Sequence, residues 1–401
     1  MNKILRFFIY AYFIFLSAND VFRFHEWFSL YQYFLIPILI LGVAKGVKFI
    51  DYKLDLLLLI MLVFLFISSA MNENDKTINY VAAYLYVIFG MYFVFKSSLI
   101  TSNVDFNSLL KANFYGVMLL SIYIIFEVFL KILLDFDISV YLYRTRETTA
   151  LFALNLSRAY GFSTEPTAVV WYLNSFAPLA IYYLINNFKT FIVKYVSILM
   201  IICSFILTFS SAGFLYLFLG LLFIIIKYNL YRIFLGRIFL FHAILILSLI
   251  LFIDPIYSSV SYFFEGILDK IFLNNNYKSV SIRVDAVMTA LSRFYQSPII
   301  GSGLALTSSL GEISPMSWYL ILLTNGGILA LLSFVIFSTL KVYQVLSIKD
   351  SIGIYMAFSL IVSLLSLSTT AIFFNPFLWT LLAVIGLYRF KIANRKKINV
   401  L

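Results

Sequence analysis

The sequence predicts an all-α polytopic membrane protein, a single membrane domain over residues 1–401, with about twelve transmembrane helices and both termini cytoplasmic. Three observations predict it. The chain is 63% hydrophobic and 12% charged, with a mean hydropathy of +1.00, so a water-soluble domain of this length would have too much apolar surface to hide. The apolar residues come in long runs. The basic residues fall mostly between alternate runs.

A helix needs roughly 20 apolar residues to cross about 30 Å of hydrocarbon, and it must satisfy its own backbone polar groups because lipid offers no partner. By that rule the spans run over about 4–19, 28–44, 54–71, 78–95, 109–131, 167–186, 192–210, 213–227, 238–254, 316–340, 352–370 and 376–390. The first is read as a helix and not a cleaved signal peptide, because no A-x-A-like site follows Ala18. With the N-terminus inside, nineteen of the 29 Lys and Arg residues lie at cytoplasmic loops, Lys96 and Lys341 among them. The other ten are Arg23, Lys76, Lys131, Arg144, Arg146, Arg158, Lys270, Lys278, Arg283 and Arg293. Seven of these fall in two long outer loops, 132–166 and 255–315, which carry enough hydrophobic and turn-forming residues to be ordered.

The excess of 29 basic over 18 acidic residues therefore reports membrane sidedness, and no nucleic-acid partner is predicted. Cys203 is the single cysteine, which excludes an internal disulfide and a cysteine metal cluster. His25 and His242 are the only histidines. No Walker loop, dinucleotide fingerprint or zinc spacing occurs, so neither cofactor nor metal is expected. Within the spans charged residues are few. Glu127 and Asp254 near outer ends and His242 near an inner end read as interfacial, and Thr208, Ser210 and Ser211 as a small-residue turn.

The first outer loop carries Arg144, Arg146, Glu147 and Arg158, then GFSTEP from Gly161 to Pro166. Pro166 suits the first turn of a helix and Ser163 or Thr164 can cap it, which brings Glu165 to a membrane entrance. Glu165 either complements the helix dipole there or, with Arg158, faces an anionic lipid-linked substrate. The second loop holds RVDAVMTALSRFYQSP from Arg283 to Pro298. Val284, Val287, Met288, Leu291 and Phe294 recur there with helical spacing, predicting an amphipathic helix on the membrane surface. Arg283 and Arg293 flank it, and PIIGSG ends it in a tight turn expected to supply backbone donors. Guanidinium binds phosphate bidentately and stays charged, which suits it to a diphosphate; the competing role for each arginine is snorkelling at the interface.

GFSTEP before a helix, the Arg283 to Gly303 stretch ending SPIIGSG, and WYLILLTNGGILALLSF from Trp318 to Phe334 together resemble the O-antigen polymerase and ligase superfamily, closest to Wzy-type polymerases. The resemblance implies a multi-pass protein of the bacterial inner membrane whose active face is periplasmic. It implies a metal-independent glycosyltransferase that moves a growing glycan from undecaprenyl diphosphate to the non-reducing end of another undecaprenyl-diphosphate-linked repeat unit. Arg158, Arg283, Arg293, Arg144 and Arg146 would bind the diphosphate, with Arg283 also catalytic. Glu165 would orient the site or act as general base, with Asp285 as the alternative base. Partners implied are the lipid-linked oligosaccharides, membrane lipids and, in some members, a chain-length regulator.

Two other classes compete. Ligases of the superfamily usually carry a functional histidine in the second loop, and none lies between Pro255 and Pro315. A lipid-linked oligosaccharide flippase would place cations deep within its helices, whereas these helix interiors read as nearly uncharged. A scaffold protein would not need two ordered arginine-bearing loops.

Overall fold

A computed structural model describes residues 1–18, 29–48, 52–136, 138, 159–163, 165–229, 278–311, 315–370 and 373–398. They form twelve helices, one further helical turn at Leu306–Ser309, and no strand. In chain order the helices are α1 (Asn2–Phe15), α2 (Leu30–Ala44), α3 (Tyr52–Met71), α4 (Thr77–Thr101), α5 (Phe106–Leu134) and α6 (Pro166–Asn187). Then come α7 (Phe191–Leu207), α8 (Ser211–Lys227), α9 (Lys278–Gln296), α10 (Trp318–Leu346), α11 (Ser351–Ser366) and α12 (Pro376–Ile398).

Six of them, α3, α4, α5, α6, α10 and α12, are long and apolar enough to cross a membrane. Four more, α2, α7, α8 and α11, are apolar but shorter. Every predicted span but one coincides with a helix, and 238–254 lies outside the described residues. Apolar side chains stand exposed along single helix faces: Tyr115, Leu119, Ile122, Phe126, Phe129 and Leu133 on α5, and Ile192, Tyr195, Leu199, Ile202 and Ile206 on α7. Spacings of three and four residues put each set on one stripe. Water would penalise such stripes and lipid does not, so the molecule is membrane-embedded.

The helix at the centre is α6. Of its apolar window 83% is buried, against 33% for α5, and it packs on α5, α7, α8, α11 and α12. Lipid is as apolar as leucine, so helices in it are joined by close packing and by hydrogen bonds between side chains. Trp171 Nε1 donates to Ser363 Oγ at 2.9 Å between α6 and α11, and Ser204 Oγ to Ser121 Oγ at 3.1 Å between α7 and α5. Tyr12 and Thr380 share a hydrogen bond of 2.6 Å between α1 and α12.

One end of the bundle is marked by cations that satisfy the carbonyls left free where helices stop. Arg6 Nε donates to Ser102 O at 2.9 Å and Lys391 Nζ to Val104 O at 2.7 Å, just beyond α4, while Lys194 Nζ donates to Ile185 O at 2.7 Å near the end of α6. Arg6 and Lys194 also complement the dipoles of α4 and α6.

Near that end the expectation of nearly uncharged helix interiors fails. Lys96 and Asp55 are 1% and 2% exposed, and their ammonium and carboxylate meet at 2.5 Å. Tyr92 OH donates to the other carboxylate oxygen at 2.7 Å, and Lys96 Nζ also reaches Tyr92 OH at 3.2 Å. The residues before Lys96, Tyr86–Val94, follow a wider π-helical course, which sets Tyr92 and Lys96 together against α3. Lys341 on α10 is buried too, its ammonium 5.7 Å from the centre of the Phe337 ring. The charge pattern of the sequence places both lysines at loops. Long polar side chains folding inward from a helix end leave no mark in a hydropathy pattern.

Candidate functional site

The opposite end gathers the start of α6, the end of α5, the ends of α3 and α11, the starts of α8 and α10, and the segment after α9. The approach to α6 is pinned first. Ala159 N–H donates to Leu207 O at 3.0 Å, and the N–H groups of Tyr160 and Gly161 donate to the two carboxylate oxygens of Glu127 at 3.3 and 2.9 Å. Gly161 has φ +55°, and a Cβ there would lie 2.9 Å from Leu120 Cδ1. The Phe162 ring centre is 4.3 Å from that of Tyr123.

Glu165 itself occupies the N-cap position, with φ −133° and ψ 130°, and its side chain makes no capping bond. This corrects the expectation that Ser163 or Thr164 caps α6: Pro166 at the first helical position forces the residue before it into extended backbone, so the helix cannot start earlier. Ser163 Oγ instead accepts the Glu165 N–H at 3.4 Å. Thr164 lies outside the described residues. One turn below, Thr167, Val170, Trp171, Gly213, Tyr216, Ser366, Thr369 and Thr370 line a narrow cleft between α6, α8 and α11. Tyr216 OH is fixed there by Ser368 and Thr369 at 2.8 and 2.9 Å.

The second part of the site is built on a broken helix. Within α10, Gly327 leaves the helix at φ 69° and ψ −170°. The backbone after α9 fills the break: Ser302 N–H donates to Thr324 O at 2.8 Å, Gly303 N–H to Asn325 O at 3.2 Å, and Ile328 N–H to Pro298 O at 2.9 Å. The end of α3 holds the same segment from the other side. Gly303 N–H donates to Ser68 Oγ at 2.8 Å, Leu304 N–H to Ser69 Oγ at 3.2 Å, and Asn74 Nδ2 to Leu304 O at 2.8 Å. The N–H groups of Gly301, Ser302, Gly303 and Leu304 are thus consumed inside the protein. The backbone donors expected from PIIGSG are, at Gly301 to Gly303, spent within the protein, because a turn buried against two helices must satisfy its own polar groups.

The amphipathic helix of the second loop is present as α9, and it packs on α10. It has three faces where the sequence suggested two. Ala286 and Ala290 are buried, and by helical spacing Arg283 and Arg293, both partly buried, flank that same face. Val284, Met288, Leu291 and Tyr295 form a second, apolar face on which Met288 and Tyr295 are exposed. Asp285 is exposed on the third, polar face with Ser292 and Gln296, turned away from Arg283. Arg293 reaches Gln296 Oε1 at 3.4 Å.

Glu165 and Arg283 therefore stand on separate supports, α6 and α9, and α11 packs on both α6 and α10. Arg144, Arg146 and Arg158 lie outside the described residues. Among the described residues no three His, Cys, Asp or Glu side chains gather as an ion would require. Sequence reading took Glu127 as interfacial, where the structure buries it as a support of the site, and missed Ser68, Ser69 and Asn74. A lone carboxylate in the 29-residue helix α5 was the available signal for the first; serines ending an apolar run carry none.

Comparison with protein-family models finds no match, and comparison with curated proteins finds none either.

Proposed function

We propose that this chain polymerises lipid-linked polysaccharide repeat units at the periplasmic face of a bacterial inner membrane, crossing it about twelve times with both termini in the cytoplasm. The observation that carries the reading is the mounting of α9. Two guanidinium groups flank its packed face, an apolar face is left outward, and the segment behind it is bonded to both α3 and the break in α10. That arrangement suits a ligand with a diphosphate and a long apolar tail, such as undecaprenyl-diphosphate-linked glycan.

In this reading Arg283 and Arg293, joined by Arg158, Arg144 and Arg146, grip the donor diphosphate. A hydroxyl at the non-reducing end of the acceptor attacks the anomeric carbon of the donor glycan. The bond from that carbon to the diphosphate oxygen breaks, the proton passes to Glu165, and undecaprenyl diphosphate leaves with its charge held by arginine, without a metal ion. Glu165 is preferred to Asp285 as base, because Asp285 is exposed on the face away from Arg283. The family resemblance supports the reading beyond the geometry, and a chain-length regulator fits it as a partner.

Arg283→Ala and Glu165→Ala are expected to accumulate normally yet leave cells displaying glycans of one repeat, read by gel analysis of surface glycan. Wild-type ladders in both, at normal protein levels, would exclude these residues. A flippase is the second reading, favoured by the cations buried at Lys96 and Lys341. A deletion strain separates the two: a polymerase's loss leaves single repeats outside, and a flippase's loss leaves none.

A further inference from the structure

Glu127 is the one acidic residue of α5, is 6% exposed, and belongs to no step proposed above. A carboxylate inside a membrane helix is costly unless polar partners satisfy it. Two consecutive backbone N–H groups, those of Tyr160 and Gly161, converge on its two oxygens at 3.3 and 2.9 Å. With Gly161 in the left-handed region, this is the nest geometry by which backbone receives an anion, and bonds to a charged acceptor are stronger than neutral ones.

The same stretch of α5 shapes the rest of the contact. Leu120 closes on Gly161 and Tyr123 packs on Phe162, so α5 acts as a rack for residues 160–162. From there each link is made: Ser163 N–H donates to Tyr160 O at 3.0 Å, Ser163 Oγ accepts the Glu165 N–H at 3.4 Å, and α6 starts at Pro166. Displacement of Gly161 is therefore carried four residues on to Glu165.

We propose that Glu127 is a positioning residue, whose carboxylate clamps residues 159–163 and so sets where Glu165 stands at the mouth of the bundle. The effect on glycan growth rests on the reading of Glu165 given above; the clamp does not.

The test uses the purified full chain in detergent, with Cys203→Ser to remove the native thiol and Ser163→Cys as reporter, since Ser163 is buried. Reaction of the reporter with a hydrophilic maleimide should be slow, and Glu127→Gln should speed it about tenfold or more, because the amide loses the charge and opposes one N–H with its own. Glu127→Asp, which keeps the charge, should restore part of the protection. Gly161→Ala enters the same contact from the loop side and decides the matter should Glu127→Gln fail to accumulate. Unchanged protection in whichever of the two accumulates would overturn the clamp. Faster labelling with single-repeat glycans supports both clamp and site. Faster labelling with wild-type ladders keeps the clamp and removes Glu165 from the chemistry.

Discussion

Lys96 and Asp55 are buried against one another, ammonium to carboxylate at 2.5 Å, and that makes each intolerant of losing the other. Removing one partner of a buried pair strands the second, at a typical cost of about 3–5 kcal/mol, whereas replacing both by apolar groups is often close to neutral. Asp55→Asn and Lys96→Met are therefore expected to lower the melting temperature in detergent sharply, and the double variant to recover much of the loss. A double variant as unstable as the sum of the two would show that the residues act independently. Asp105, outside the membrane-spanning part of α5, offers a pH-dependent counterpart. Burial pushes its carboxyl up, but the N–H and O–H of Ser108 outweigh this, Lys391 adds attraction, and the carboxyl is held below its usual range. A depressed carboxyl stabilises the fold above the unfolded aspartate range, and that contribution is lost as pH falls through the folded value. Melting temperatures between neutral pH and about pH 3 should fall less in Asp105→Asn than in the parent.

Among the elements, α10 and the segment after α9 depend on each other through two glycines. A Cβ on Gly301 would lie 2.5 Å from Gly327 N, and both residues have positive φ. Gly301→Ala and Gly327→Ala each combine left-handed strain with overpacking, terms of about 1–3 kcal/mol apiece, so each is expected to reduce the yield of monodisperse protein on size exclusion. Wild-type behaviour of both would mean that the crossing is looser than the geometry implies. Apolar runs and the proline rule were enough to find the helices, because span length and backbone satisfaction are written into composition. The break in α10 was not legible: TNGG was visible as a motif, but adjacent glycines inside an apolar run read equally well as small-residue packing. The face by which α9 docks was hidden for a related reason. Hydrophobic periodicity points to Val284, Met288 and Leu291, while the fully buried side chains are Ala286 and Ala290, small enough to allow close backbone approach. Of the candidate site, Glu165 and the arginine helix could be found as residue types in long loops; the supports at Glu127, Ser68 and Ser69 depend on neighbours distant in sequence.

For the whole molecule, the two ends differ in what their charges do. At one, Arg6, Lys194 and Lys391 bond backbone carbonyls; at the other, Glu165 stands at the start of α6 and Arg283 and Arg293 on α9. The proposed orientation puts the first end in the cytoplasm. In spheroplasts carrying Cys203→Ser, a membrane-impermeant thiol reagent should label a cysteine placed at the exposed Leu310 and spare one at the exposed Lys111. The reverse pattern would remove the periplasmic assignment and the polymerase reading with it. The threading of residues 298–304 also imposes an order of assembly. Their hydrogen-bond partners lie partly in α3, made long before, and partly at Thr324 and Asn325, which leave the ribosome afterwards. As the chain is made from its N-terminus, the segment after α9 can be fastened at one side only until the helix after it has arrived, so this crossing is among the last parts of the described fold to form.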